Sequence, residues 1–307
     1  MTSPALPHEP QENEMSNSRI GPANTRTQCS PAASALFSCL LLSAVAGCAA
    51  VPLEEANTLT SYSGLTSNNG KFTKAKFKVD PGDLVVNKTV YIEPTQISPN
   101  AALSIKKSSD SALVANVISR ALCVGVSDRF QVVDQRENAD IVVHATVTRI
   151  VPTNATVAGL STATSLGASF VSPVPVPRLP MGLGGLAVEA EATTRDGKQV
   201  GAMVWSKGAN AITTGARASQ IGDAYSLASS FGGDFSKMLV TGKTPYKGLP
   251  RIPSGQKIKS SLGGKPKYAA CERFGRSPGV KDFAASQIGL PPSWTDKQPA
   301  VVGQWTP

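Results

Sequence analysis

The chain has 307 residues, of which 41% are apolar, 17% are charged and 6% are aromatic. This length fits one large domain or two small ones, and the apolar fraction is ordinary for a chain that buries a core. Disorder throughout and a polytopic membrane protein are thereby excluded. The formal charge of +9 raises the question of nucleic-acid or anionic-membrane binding, which has to be asked of the processed chain.

An export signal is predicted at the amino terminus. Residues 32–46 form a stretch of 15 residues without a charge and follow Arg19 and Arg26, which is the arrangement of a positive n-region and a short h-region. A transmembrane helix needs about 20 apolar residues, so this stretch is too short for an anchor helix. Met15 is an alternative translation start to Met1, and either start gives the same mature chain.

The segment Val45–Cys48 resembles the lipobox of bacterial lipoproteins, in which a branched apolar residue and two small residues precede a cysteine. The resemblance implies cleavage between Gly47 and Cys48 and lipidation of Cys48 with a diacylglycerol and usually an N-acyl chain. Ala49, in place of an aspartate, favours the outer membrane by similarity to enterobacterial sorting. We therefore expect an outer-membrane lipoprotein that faces the periplasm and is held by membrane lipid. Ordinary signal cleavage after Ala46 or Ala50 is the alternative.

Processing makes the chain more basic. Residues 1–47 contain two Arg and three Glu, so the mature 260 residues have 28 basic and 18 acidic groups and a net charge of +10. Export to the envelope nevertheless makes nucleic acid a poor partner, and no basic helix interleaved with aromatic residues is present. We expect no nucleic-acid partner.

Two cysteines remain available after processing. Cys29 and Cys39 leave with the signal and Cys48 is acylated, which leaves Cys123 and Cys271. In an oxidising compartment this pair is a candidate disulfide that would tie the carboxy-terminal tail to the first helix. The alternative is one buried thiol and one idle thiol in a loop.

Composition divides the chain after the signal, residues 1–47, into three segments. Residues 48–84 are polar and predict a lipidated tether and linker, and residues 85–244 predict an α+β domain. Residues 152–184 within that domain form an insertion with a single charge. The insertion is either an apolar surface for an envelope protein partner or a loop folded over its own sheet. Residues 245–307 form a basic tail rich in Pro and Gly, predicted to be irregular.

The predicted domain begins with a strand at residues 85–97, whose later part Pro94 confines to a sheet edge. After Ser108, apolar residues at helical spacing predict a helix. Two strands follow, a short one at residues 130–134 and a longer one at residues 139–151, in which apolar and polar residues alternate.

Asp196-Gly197 is a strong signal for a two-residue hairpin. In the register that this turn imposes, Val188 faces Trp205 on an apolar face, while Glu189 and Glu191 fall on the opposite face. A slip by one residue would mix the two sets, so the pattern fixes the register. The two strands are predicted at residues 186–194 and residues 199–207.

Apolar residues recur at helical spacing from Ile221 to Leu239, and Gly242 stands where a C-cap is expected. Gly232-Gly233 cost about 1 kcal/mol each relative to Ala inside this helix, which indicates close packing or a bend. The order of elements predicts a two-layer α+β domain. We expect a mainly antiparallel sheet of about four to five strands with two helices packed on one face, flanked by an irregular tether and tail.

The sequence indicates no catalytic, cofactor-binding or metal-binding constellation. His144 falls on a polar strand face without an indicated partner, and no motif supports its pairing with Cys123 as base and nucleophile. Glu189 and Glu191 are about 7 Å apart along one strand, a spacing that mimics a glycosidase, although solvent-exposed glutamates are the common case. Residues 182–187 match G-x-G-x-x-A but open a strand rather than a helix, which excludes a dinucleotide site.

Four segments of the chain resemble the bacterial lipoproteins grouped as domain of unknown function 3313, over residues 58–241. These segments are SYSGL from Ser61, DRFQVVDQ from Asp128, GGLAVEAEA from Gly184 and IGDAYSLASSFGGDF from Ile221. The resemblance implies an envelope lipoprotein of Gram-negative bacteria without an assigned activity. The long basic tail departs from the family pattern.

We therefore expect a non-enzymatic, lipid-anchored periplasmic binding or assembly module, and crosslinking in cells that recovers no partner would contradict this expectation. The alternative is an envelope-polymer hydrolase that uses Glu189 or Glu191 as its acid and turns over polymer as the purified mature chain. Turnover retained by the double variant Glu189→Gln, Glu191→Gln would eliminate that assignment.

Overall fold

The fold is given by a computed structural model, which describes residues 51–70, 72–161, 181–211, 214–247, 253–287 and 289–298. The export signal, the lipobox residues Gly47 and Cys48, and residues 162–180 of the apolar insertion lie outside the described residues. Every prediction made for them stays a prediction.

The centre of the fold is an eight-stranded mixed sheet with the order β1-β2-β8-β7-β6-β3-β5, in which β4 also pairs with β6. The pairs that β3 forms with β5 and β6 and the pair of β4 with β6 are parallel, and the other pairs are antiparallel. The strands are β1 (Thr66–Ser67), β2 (Thr73–Val79), β3 (Thr89–Ile92), β4 (Gln96–Ile97), β5 (Gln131–Val132), β6 (Ile141–Val151), β7 (Gly185–Thr194) and β8 (Gln199–Gly208).

The predicted hairpin is confirmed in both position and register. Val188 pairs with Trp205 and Ala190 pairs with Met203, and all four side chains are fully buried in the main core. Only the last pairs before the turn depart from the pattern, through a register shift between Ala192 and Thr193. The predicted two-residue loop is therefore wrong: the N–H of Thr194 donates to the carbonyl of Lys198, so the turn contains three residues, 195–197. The alternation of residue types therefore determined which face of β7 and β8 meets the helices.

The two long helices cover one face of the sheet, and the prediction of two helices is wrong because the described part of the chain contains several more. The described helices are α1 (Pro81–Val86), α2 (Pro99–Leu103), α3 (Ser108–Val126), α4 (Gly222–Thr241), α5 (Gly255–Ser261), α6 (Val280–Gln287) and α7 (Pro292–Thr295), with 3₁₀ turns at Arg136–Asn138 and Ala269–Phe274. Residues 155–161 are also helical. Of the described helices, α3 is the one that is long and apolar enough to cross a membrane, and it is the buried core helix of this domain.

The two long helices α3 and α4 pack against each other as well as on the sheet. A Cβ atom at Gly232 would lie 2.4 Å from the Cβ of Ala121, so only glycine allows this approach of the two backbones. The predicted C-cap is also present, because Gly242 adopts φ +63° and its N–H donates to the carbonyl of Met238. Both glycine predictions for this helix are thus confirmed.

The predicted sheet of about four to five strands is wrong, because β1 and β2 belong to the segment predicted as a tether. Lys74, Lys76 and Lys78 gave that segment its polar character. They alternate with Ala75 and Phe77, which are buried in the main core, and this is the pattern of a strand with one solvated face. The amino-terminal segment is therefore part of the sheet rather than an irregular linker.

The single strand predicted at residues 85–97 is also wrong. Asp80 caps α1 by accepting hydrogen bonds from the N–H groups of Gly82 and Asp83, so the chain is helical up to Val86. β3 and β4 follow as separate strands on either side of Pro94, which has no N–H to donate to a ladder.

The carboxy-terminal tail was predicted to be irregular, and this prediction is wrong. The tail contains helices and packs on α3 through the turn Ala269–Phe274. Cys271 in this turn is bridged to Cys123 of α3, with a Cα–Cα distance of 5.7 Å, and both cysteines are buried. The sequence had left this pairing open, since a separation of 148 residues says nothing about distance in space. A third layer, outside the two that were predicted, therefore covers the helices.

Candidate functional site

The sheet face that points away from α3 and α4, here called the outer face, carries the glutamates that the sequence singled out. Residues 51–62, here called the strap, lie across it. Ser206 donates to the carbonyl of Val51, and Leu59 packs against Ala202 and Val204 in a small second core. The strap therefore covers the outer surface of β7 and β8, where the sequence alone predicted solvent.

Glu189 is buried beneath the strap and accepts four hydrogen bonds from it. Its Oε1 accepts from the N–H of Ala56 at 2.7 Å. Its Oε2 accepts from the N–H of Thr58 at 3.2 Å, the hydroxyl of Thr58 at 2.6 Å and the hydroxyl of Tyr62 at 2.6 Å. Burial and this bond to Glu189 raise the pKa of Tyr62 to about 12, so the phenol remains a donor.

Glu191 repeats the arrangement one pleat further along β7. Its Oε1 accepts from the hydroxyl of Thr60 at 2.7 Å, and its Oε2 accepts from the N–H of Thr60 at 2.9 Å and from the side-chain amide of Gln199 at 2.7 Å. Glu189 is 1% exposed and Glu191 is 6% exposed. The expectation of solvent-exposed glutamates is wrong, because each carboxylate is closed off by donors of its own chain.

The strap residues that bind these glutamates were missed by the sequence reasoning, although the sequence contains a signal for them. Thr58, Thr60 and Tyr62 recur at every second position, which is the period of Glu189 and Glu191 on β7. Strap and strand run in the same direction, since Thr58 meets Glu189 and Thr60 meets Glu191. A matched period of donors and acceptors is the feature that could have predicted this contact.

His144 lies on the same face and has a partner that the sequence did not indicate. Its Nδ1 is 2.9 Å from a carboxylate oxygen of Glu93, which is also paired with Arg136. The hydrogen bond with His144, together with the charge of Arg136, lowers the pKa of Glu93 below its usual range. The prediction of an exposed histidine without a partner is therefore wrong.

The neighbours of His144 do not assemble a nucleophilic site. The hydroxyl of Thr146 is 3.3 Å from Nε2 of His144, which gives the order hydroxyl, imidazole, carboxylate that such sites use. Thr146, however, is only 4% exposed, so a substrate cannot reach its hydroxyl. Cys123 is buried in the helical layer and bonded to Cys271, which keeps it from acting as a nucleophile for His144.

A second buried polar cluster joins the tail to the two long helices. Arg120 of α3 donates to both carboxylate oxygens of Asp296, and Tyr225 of α4 donates to Oδ2 of Asp296 at 2.5 Å. The Arg120 and Asp296 side chains are 5% and 0% exposed. Burial and the adjacent Asp296 carboxylate raise the pKa of Tyr225, so it stays protonated as a donor.

We expect Asp296→Ala to lower the free energy of unfolding by about 3–5 kcal/mol, because it leaves the Arg120 guanidinium buried without a counter-charge. The measurement is urea unfolding of the mature chain. Asp282→Ala is the matched control, since its carboxylate pairs with the half-exposed Lys297 and accepts one hydrogen bond from the N–H of Gly279, and a surface pair contributes about 0–1 kcal/mol. Equal losses in the two variants would contradict the assignment of a buried pair.

Next to this cluster, a cavity of about 160 Å³ opens between α3, α4 and α5. Arg120, Lys257 and three serines, Ser229, Ser261 and Ser277, supply its polar atoms. The guanidinium is already committed to Asp296, so it offers no free charge to a ligand. Within the described part of the chain, no group of three or more His, Cys, Asp or Glu could hold a metal ion.

The segments that suggested the family resemblance meet in the structure. Tyr62 of SYSGL donates to Glu189 of GGLAVEAEA, and the N–H of Gly184 donates to the buried carboxylate of Asp223 in IGDAYSLASSFGGDF at 2.6 Å. Arg129 of DRFQVVDQ donates to backbone carbonyls at the end of α4, among them that of Val240 at 3.0 Å. These residues therefore hold strap, sheet and helices together and do not line an open cleft.

Comparison with solved structures finds distant similarities. The PelC L103M dodecamer from Paraburkholderia phytofirmans is 12% identical, with a TM-score of 0.33, and the match covers 55% of this chain and 97% of that chain. A DUF4136 family protein from Bacteroides thetaiotaomicron is 10% identical, with a TM-score of 0.30 and the same coverage. Similarity at this level carries no argument about function.

A search of the curated proteins finds no match. A family model, described as "Protein of unknown function (DUF3313)", matches residues 54–235, which is more than half of the chain and includes the strap residues that bind Glu189 and Glu191. The matched range ends inside α4, before the tail with Cys271 and Asp296 begins. The chain belongs to the DUF3313 family.

Proposed function

We propose that this protein is a lipid-anchored lipoprotein of the cell envelope, bound to the outer membrane through acylated Cys48 and facing the periplasm. The observation that carries the proposal is the position of the lipobox directly before the fold. Val51 is already buried, at 3% exposure, against Gly185 and Ser206. Cleavage between Gly47 and Cys48 would thus keep every described residue of the domain, and the lipid would join the chain three residues before Val51.

The buried disulfide supports an oxidising compartment. Cys123 and Cys271 are bonded in the core, and disulfides persist in the periplasm but are rare in the cytosol. Ala49 after the modified cysteine favours the outer membrane over retention in the inner membrane, by similarity to known sorting. The lipobox and the Cys123–Cys271 disulfide thus both support a location in the cell envelope.

Within the envelope we propose a binding or assembly role without enzymatic activity. The hydrolase alternative needs a carboxylate that reaches a glycosidic oxygen. All four carboxylate oxygens of Glu189 and Glu191 accept hydrogen bonds from the strap or from Gln199. Their arrangement is that of a clamp for the strap, and we propose the insertion at residues 152–184 as the surface for an envelope partner.

The test is metabolic labelling with palmitate, followed by membrane fractionation, of the wild type and of Cys48→Ser. We expect the wild type to carry the label and to float with the outer membrane, because two or more acyl chains anchor a protein stably. Cys48→Ser should lose the label and the flotation together. The labelled gel band and the density-gradient profile are the two measurements.

An unlabelled wild type that stays soluble would contradict the proposal and would mean ordinary signal cleavage. Cys48→Ala serves as a second variant, since it also removes the thiol but keeps a small residue at the cleavage site. A label that persists in both variants would place the acyl chain on another residue.

A further inference from the structure

The chain between the proposed lipid and the described fold is short. Only Ala49 and Ala50 separate Cys48 from buried Val51. Three residues span at most about 11 Å when fully extended. Acyl chains on Cys48 would therefore hold the part of the domain around Val51 within this distance of the membrane surface. Of the segment predicted as a tether, only Ala49 and Ala50 lie between the lipid and the described fold.

Val51 marks one end of the sheet, the end where β6 and β8 finish and where β2 and β7 begin. Val51 lies against Gly185, which pairs with Val151 at the end of β6 and with Gly208 at the end of β8. β2 starts at the same end, where Thr73 pairs with Lys207. We call this the anchor end. The opposite end holds the Asp196-Gly197 turn and α1.

The anchor end carries exposed apolar side chains and lysines. Leu103 closes α2, which follows β4 in the direction of the end of β6, and it is 85% exposed. Lys106 and Lys107, which are both exposed, follow three and four residues after Leu103. Met181, four residues before β7, is 61% exposed, and Phe72 and Leu160 at the same end are also partly exposed. Apolar side chains flanked by lysines suit the interface of an anionic bilayer.

We propose that the anchor end docks on the bilayer that holds Cys48, with Leu103 and Met181 entering the interface and Lys106 and Lys107 meeting anionic headgroups. This inference rests on the proposed lipidation of Cys48. It sets the orientation of the domain: the strands stand on the membrane, and α1 with the Asp196-Gly197 turn points into the periplasm.

The experiment uses the full mature chain, purified in lipidated form and reconstituted into vesicles that contain anionic phospholipid, with and without bromine-labelled acyl chains. Leu103→Trp introduces a fluorescent reporter at the anchor end. Val86→Trp is the matched control, because Val86 is also a highly exposed terminal residue of a short helix, at 72%, but lies at the opposite end.

We expect the bromine-labelled lipid to remove roughly half of the emission that Leu103→Trp adds over the wild type, since an interfacial side chain lies about 5–10 Å deep. The emission added by Val86→Trp should not change. Equal quenching of both reporters, or of neither, would overturn the proposal. Leu103→Trp emission shielded from aqueous iodide but not quenched by the lipid would overturn it too, in favour of a protein partner.

Failure of the docking and failure of the anchor give different results. A chain that carries the palmitate label and floats with the vesicles, but whose Leu103→Trp emission is not quenched, is anchored without docking. A chain without the label overturns the proposed lipidation of Cys48 and the docking that rests on it. The double variant Lys106→Glu, Lys107→Glu in the Leu103→Trp chain should reduce the quenching at least about twofold, because it replaces two charges that an anionic surface attracts by two that it repels.

Discussion

Glu189→Ala is expected to lower the free energy of unfolding by about 2–4 kcal/mol and to release the strap from the outer face. The carboxylate accepts four hydrogen bonds from three strap residues, Ala56, Thr58 and Tyr62. Bonds to a charged acceptor contribute about 1.5–3 kcal/mol each, and part of this is recovered when the released donors bind water. Urea unfolding measures the loss, and cleavage by a protease within residues 51–62 measures the release.

Two further variants test how much the hydrogen bonds to Glu189 stabilise the strap. Tyr62→Phe removes one of the four donors and should cost about 1 kcal/mol. Glu189→Gln keeps the shape of the side chain but turns an NH₂ group towards donors, so its cost should lie between those of Tyr62→Phe and Glu189→Ala. A loss below about 1 kcal/mol for Glu189→Ala, with no gain in protease sensitivity, would mean that the strap is held by Val51 and Leu59 instead.

The clamp also shows where the sequence reasoning reached its limit. The alternation in β7 correctly assigned Glu189 and Glu191 to the face opposite Val188 and Trp205. Alternation assigns a face but does not report what covers that face, and a polar face usually meets water. The strap is polar as well, so its sequence has no apolar stripe that would predict packing of the strap on the outer face of β7.

The number of strands failed for a related reason. β1 and β4 are two residues long each, and a pair of residues has no period to detect. β2 is longer, but its three lysines on the solvated face outweighed Ala75 and Phe77 in a composition-based reading. Local pattern thus predicted β5 and the long elements β6, β7, β8, α3 and α4. It missed β1 and β2, and it did not divide the strand predicted at residues 85–97 into β3 and β4.

The tail was misjudged because its partners lie far away in the sequence. Asp296 and Cys271 each meet one partner on α3, namely Arg120 and Cys123. No periodic pattern connects residues separated by more than 140 positions. An arginine in the apolar stripe of α3 was the available hint, since a buried guanidinium requires a counter-charge from another part of the chain.

The double variant Cys123→Ala, Cys271→Ala is expected to lose about 4–5 kcal/mol of stability, the largest loss expected for this protein. The bridge closes a loop across 148 residues. In the chain-entropy account, a loop of this size costs the unfolded chain about 5 kcal/mol. Urea unfolding of the oxidised wild type and of the double variant gives the difference.

A reducing agent provides the control for this variant, because it should shift the unfolding midpoint of the wild type towards that of the double variant and leave the double variant unchanged. The loss of stability in this double variant and the loss in Asp296→Ala should not be additive. If the tail docks as one unit, either change undocks much of it, and the triple variant should lose less than the sum of the two. Full additivity, or a loss from the double cysteine variant below about 1 kcal/mol, would show that the bridge does not hold the tail layer on α3.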